Sequence, residues 1–221
     1  MDEKSLLTRR SLFTRGRFTP HPGSQGAAKF TNAVLRTQDN KEVRFYDDLI
    51  RGRQCVINMM YADCHGACPL VTTVLKRTYR DLKDRMGKDV FFYSISVKPQ
   101  DDTPAALKHY AKMRNADLPG WYFLTGDPYD IETIRYRLFN MGHIGVDLDF
   151  AMHSGSFRII NDATNYWGHA QAFASQKNIL KRISWADPFK SPAEWDAVIR
   201  ARQARIDKVV KKHGYLRRDA V

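Results

Sequence analysis

Two cysteines four positions apart, Cys64 and Cys68 in YADCHGACPL (61–70), are the residues of this chain best suited to chemistry. A proline disfavours helical backbone at the residue before it and is at home in a helix's first turn. A helix starting at Pro69 therefore leaves Cys68 just outside, its sulfur facing free backbone N–H groups. Those donors and the positive helix end lower a thiol's pKa, enlarging the thiolate fraction that binds soft metals and attacks disulfides. On a regular helix, Cβ atoms at this spacing lie about 5–6 Å apart, too far for an unstrained disulfide but suited to two sulfurs on one metal. With residues 64–67 read as loop, both a disulfide and metal chelation stay open. A purely structural bridge is disfavoured, because so small a loop gains little chain entropy on closure.

The third cysteine, Cys55, falls inside a strand pattern and reads as an inert core thiol. Zinc normally draws four Cys/His ligands in paired spacings, and here there is one pair. Two thiolates suit a soft ion such as copper(I), which gains from one imidazole. Of the seven histidines, His21, His109 and His213 read as surface residues, and His169 lies beyond the last strand expected. The candidates for a third ligand are His65, His143 and His153. Met59 and Met60 could add thioethers but sit on the strand rather than the loop, and Asp63 reads as a solvated charge.

The elements that must position these groups follow from periodicity. VLRT and EVRF flank QDNKE as a hairpin. RQCVINMMYA (53–62) is apolar on both pleat faces, as in a strand buried between layers. Val71, Val74, Leu75, Thr78, Leu82 and Met86 form a helical stripe that stops at Gly87. DVFFYSISV (89–97) is a second buried strand. Thr103 caps and Pro104 opens a helix carrying Leu107, Tyr110 and Ala111. GWYFLT (120–125), a helix from Asp130 and SGSFRIIN (154–161) complete an alternating α/β layered pattern. A last amphipathic helix is signed by Ser191, Pro192 and Glu194, with a basic outer face.

The formal charge of +12 is concentrated at the ends: residues 1–20 hold five Lys/Arg against two acids, and residues 200–221 hold eight against two. No zinc-finger, RNP or GxxG signature accompanies that charge, so nucleic acid is not an expected partner. Peripheral contact of the basic ends with anionic membrane is. The longest runs free of charge and turn residues, CVINMMYA and VFFYSISV, fall well short of the roughly 18–20 residues a membrane-crossing helix needs. TRRSLFTRGRF carries the adjacent arginines of a twin-arginine export signal, without the usual apolar stretch after them. The chain divides into a flexible basic leader (1–28), a central domain (29–189) and a basic helical tail (190–221).

CHGACP after VINMMY, then FFYSISVKPQDDTPAALKHYA, GWYFLTG and MHSGSFRIIN resemble the Sco/SenC family over residues 30–162. The resemblance implies a thioredoxin-like three-layer α/β fold, here with an N-terminal hairpin and an added C-terminal basic helix. It also implies a metallochaperone that binds copper, as Cu(I), Cu(II) or both, through Cys64, Cys68 and His153. Delivery would be to the cytochrome oxidase subunit that carries the copper A site, or to a similar copper acceptor, with a thiol reductant as second partner. Met152 stands where the family commonly has an acidic residue before the histidine. The alternative from another class is a thiol–disulfide oxidoreductase using Cys64 and Cys68 as its redox-active pair. Family members usually carry a membrane anchor or an export signal, so the resemblance implies a periplasmic or membrane-surface location.

Overall fold

The computed structural model describes residues 30–139 and 155–187. The chain divides into two units, 1–187 and 188–221. The leader over 1–28 and the basic helix expected within 190–221 lie outside the described residues.

β1 (Val34–Thr37) and β2 (Glu42–Arg44) form the expected hairpin. Thr37 Oγ1 accepts the N–H groups of Asp39 and Lys41, and Asn40 takes the positive φ of 57° that the turn demands. A π-helical turn at Phe45–Ile50 follows, burying Phe45, Leu49 and Ile50. β3 (Gln54–Met60) and β4 (Val90–Ser96) are buried at every position. They pair in parallel, and β4 pairs in parallel with β5 (Trp121–Gly126). Strands covered on both faces lose the apolar–polar alternation of half-buried ones, which accounts for their continuous apolar runs.

α1 (Ala67–Asp81) crosses from β3 to β4, and α2 (Pro104–Met113) from β4 to β5. α3 (Pro128–Phe139) follows β5. β6 (Ser156–Asn161) and β7 (Tyr166–Gln171) extend the sheet antiparallel beyond β3, and α4 (Gln176–Trp185) closes the domain. The sheet order is β2-β1-β5-β4-β3-β6-β7.

Alternation along the central strands separates two apolar cores. Val56, Met60 and Phe92 face Val71 and Leu75 of α1, Leu107 and Tyr110 of α2, and Ile179 and Ile183 of α4. Cys55, Ile57, Met59, Phe91 and Tyr93 face Leu49 and Ile50 of the π-turn and Ile131, Ile134 and Leu138 of α3. The result is the three-layer α/β arrangement expected.

Helix α1 differs from its expected bounds at both ends. The helix begins at Ala67 with Gly66 as N-cap, so Cys68 and Pro69 both lie within its first turn. The first four N–H groups of a helix have no internal acceptor, so a proline at the third position forfeits no hydrogen bond. The helix also ends at Asp81, a turn and a half before Gly87. Leu82 and Met86 still pack on the core, from an irregular turn rather than a helix.

Gly87 (φ +74°) and Gly120 (φ +78°) pass so close that a Cβ on Gly120 would lie 2.3 Å from the Gly87 nitrogen and 2.6 Å from its Cα. Backbone cannot yield as a flexible side chain would. Gly120→Ala is therefore expected to lower unfolding free energy by about 2 kcal/mol or more, read as a lower denaturant midpoint at constant slope.

Candidate functional site

The parallel strands β3, β4 and β5 end together, and the loop from Tyr61 to Gly66 leaves that carboxyl end before α1 begins. Open α/β sheets commonly place their chemistry there, because the strand ends leave a crevice that loops can line. Asp63, His65 and Gly66 are exposed in this loop, whereas Cys64 and Cys68 lie beneath it at 3% and 1% exposure. Both sulfurs belong to the apolar cluster under α1, with Met60, Val71 and Ala172. Cys55 is buried in the opposite cluster, where desolvation pushes its thiol far above the ordinary range. It is the inert core thiol its strand position implied.

The two loop thiols are not equivalent. Burial pushes Cys64 up, but hydrogen bonds from the Cys68 thiol, the backbone N–H groups of Cys68 and Gly66 and the Tyr61 hydroxyl outweigh it and bring Cys64 down to about 7. Cys68 is pushed up to about 12, first by burial and then by its hydrogen bond and charge interaction with Cys64. Backbone donors reach both sulfurs, but at Cys68 the N–H groups of Tyr61 and of Cys68 itself are outweighed by burial and by Cys64, so the activated thiol is Cys64 rather than the Cys68 that a helix beginning at Pro69 would favour. With the helix starting two residues earlier, Cys68 becomes part of the first turn. Its own N–H is a donor to both sulfurs.

Tyr61 completes the immediate shell. Its own pKa is raised, chiefly because its hydroxyl donates to Cys64, and the Lys98 ammonium lies 4.7 Å above its ring. Tyr110, hydrogen-bonded to Thr72 at 2.9 Å, borders the same thiols, and burial first and then the nearby sulfurs raise its pKa. Neither tyrosine stood out in the sequence. The signal was available: Tyr61 is the first residue after the buried strand, one turn of loop ahead of Cys64.

Of the other candidates, His65 turns outward. Its Nδ1 is 3.1 Å from the Asp63 carbonyl, and both side chains are about nine-tenths exposed. Met60 shares the thiols' core, whereas Met59 faces the opposite one. His109 and His169 are exposed on α2 and β7. His153, His143 and Met152 lie outside the described residues, as do His21 and His213. Among the described residues no group of three His, Cys, Asp or Glu side chains is placed to hold a metal ion.

Comparison with known proteins places this geometry in context. The family model described as SCO1/SenC matches residues 25–186. A SCO1 protein homolog from Bacillus subtilis is 30% identical over 93 residues, covering 42% of this chain and 47% of that protein. Across four such relatives the covered share of the relative runs from 35% to 67%. BsSco, a member of the Sco family of cytochrome c oxidase assembly proteins in which a disulfide switch has been identified, superposes with a TM-score of 0.60. It does so at 20% identity, over 81% of this chain and 99% of its own. Yeast Sco1 with copper bound superposes at 0.57 and 20% identity, over 79% and 99%. These structural likenesses establish a thioredoxin-like fold.

The inequality of the thiols has a direct readout. Iodoacetamide is expected to modify Cys64 first, at a rate that rises with pH around a midpoint near 7, because only the thiolate attacks. Tyr61→Phe, which removes one donor to that thiolate, is expected to move the midpoint upward. A parent rate that stays flat between pH 6 and 8, judged by peptide mapping, would contradict the assignment.

Proposed function

The chain belongs to the SCO1/SenC family, and from that premise we propose that it is a copper carrier for oxidase assembly. Cys64 and Cys68, with His153 as third ligand, hold copper as cargo and pass it to the copper A site of a respiratory oxidase subunit. The observation that carries this reading is the pair of buried thiols at the start of α1, hydrogen-bonded to each other and set in one apolar cluster. Above them the loop is open: a Cβ added at Gly66 would meet nothing within 4 Å. The copper-bound state of the yeast relative supports the cargo.

The chemistry follows from the two thiols. Copper(I) is soft and prefers thiolate, and its binding displaces whatever protons the sulfurs still carry. Cys64, already half ionised near neutrality, is the first ligand; Cys68 surrenders its proton as the ion arrives. Two thiolates favour copper(I), and a histidine nitrogen helps admit copper(II). Ligand exchange then hands the ion to cysteines and histidines of the acceptor. The adjacent arginines Arg9 and Arg10 and the basic chain ends support a periplasmic or membrane-surface location; no helix among the described residues is long and apolar enough to cross a membrane.

One observation favours a second reading. A thiol held near 7 beside one held near 12 is also the arrangement of an attacking thiolate and its resolving partner. In that case the pair reduces the acceptor's cysteines rather than loading them.

The reduced protein is expected to bind one copper(I) per chain in competition with a chromogenic chelator. Cys64→Ala, Cys68→Ala and His153→Ala should each weaken binding by about tenfold or more, the scale on which even outer-shell partners act. A double cysteine variant that competes as well as the parent would refute the carrier. His153→Ala separates the two readings: a carrier loses copper affinity, whereas a dithiol reductant keeps both its copper-independent role and near-normal disulfide exchange.

A further inference from the structure

β3 and β4 stay in parallel register as far as the pair Met60 and Ser96. The Val97 N–H donates to the Met60 carbonyl at 2.8 Å. There β4 turns away, the Lys98 N–H being taken by Ser96 Oγ at 2.9 Å. The chain leaving β3 would then lack its next acceptor. The carboxylate of Asp102 supplies it, receiving the Ala62 N–H on both oxygens at 3.2 and 3.1 Å. We propose that Asp102 is a positioning residue for the thiol pair: it prolongs the strand ladder past Met60, so that Tyr61 leaves the sheet aimed at Cys64.

Three observations support this assignment. Asp102 is only 3% exposed, and a carboxylate is costly to bury unless hydrogen bonds replace its water. The bonds it receives, from the Ala62 N–H and the Ser96 hydroxyl, both lie at this junction. Lys98, from the same loop, places its ammonium over the Tyr61 ring, so one segment grips successive residues, 61 and 62. The segment is itself stiff. Asp101 and Asp102 donate backbone N–H groups to the Lys98 carbonyl, and Thr103 caps α2 by accepting the Ala106 N–H.

Asp102 acts through Tyr61. The Tyr61 hydroxyl donates to the sulfur of reduced Cys64, and a disulfide sulfur is the weaker acceptor. Oxidation by glutathione disulfide takes two electrons and two protons from Cys64 and Cys68, forms their S–S bond, breaks that of glutathione and releases two glutathione thiols. The Tyr61 bond therefore favours the reduced pair. Misaiming Tyr61 makes the pair more reducing. The inference rests on the thiol-pair reading of the site, and metal is not required for it.

The test uses the full chain, metal-free, equilibrated in glutathione redox buffers. Tyr61→Phe and Asp102→Ala are each expected to shift the equilibrium about fivefold toward the disulfide, equivalent to ~20 mV for a two-electron couple. The double variant should move no further than Tyr61→Phe alone. Asp102→Asn, which retains an acceptor for the Ala62 N–H, should restore the parent value to within about twofold. An Asp102→Ala potential equal to the parent's overturns the proposal, and so does a shift that persists in full on the Tyr61→Phe background. Should Asp102→Ala fail to fold, Ser96→Ala carries the test: a shift of the same sign that vanishes without the Tyr61 hydroxyl supports the proposal, and an unchanged potential overturns it. Copper titration of the same folded variants keeps the two readings apart. Loss of copper binding by every protein, parent included, refutes the carrier and leaves the redox result standing.

Discussion

With no cation between them, two sulfurs at close range in an apolar setting resist becoming thiolates together, and the rest of the site is arranged around that constraint. Like charges in a low dielectric split the titration of a pair, so that one member ionises easily and the other resists. At this site the split has a structural cause. Cys64 collects the donors: two backbone N–H groups at the mouth of α1, the Cys68 thiol and the Tyr61 hydroxyl. Cys68 lies one turn deeper, in the apolar layer under the helix, and keeps its proton. One thiol of the pair is thus easily ionised and the other resists ionisation.

Holding that asymmetry needs a rigid floor. β3 supplies it because both of its faces are covered, with Val56 and Met60 on one core and Cys55, Ile57 and Met59 on the other. A strand packed on both sides cannot slip by one residue without moving every apolar side chain to the wrong layer. The position at which it ends is therefore fixed, and with it the point at which Tyr61 and the thiol loop depart. Helix α1 then starts at Ala67 behind Gly66, an N-cap with no side chain to accept a hydrogen bond, which leaves its first N–H groups available to sulfur.

The chain is a member of the SCO1/SenC family, and an exposed loop lies over its two buried thiols, an arrangement that suits the proposed exchange of a bound ion. Asp63 and His65 stand in solvent above the sulfurs and bond chiefly to each other's part of the loop. They give the mouth polar character without filling it. Transient binding of a soft ion and transient formation of a disulfide would make the same demand on the scaffold: two buried sulfurs held near each other beneath an exposed loop.

Much of this was legible in residue order. The all-apolar runs of β3 and β4, the Thr103–Pro104 start of α2, the hairpin around QDNKE and the pairing of Cys64 with Cys68 depend on local pattern, and local pattern is what a sequence records. β7 and α4 were missed for the same reason. YWGHAQ carries a glycine and only one fully buried residue, Ala170, and QKNILKRISW buries just Ile179 and Ile183 among charges, so neither announces an apolar face. By itself the sequence determined which residue types meet at the end of a buried strand, and hence the class of chemistry. Only the tertiary structure decided which of the two thiols is activated. That choice turns on where α1 begins, on which sulfur sinks into the core, and on Tyr61 and Asp102 arriving from strand and distant loop. Those are contacts through space, and hydrogen bonding and burial act through space rather than along the chain.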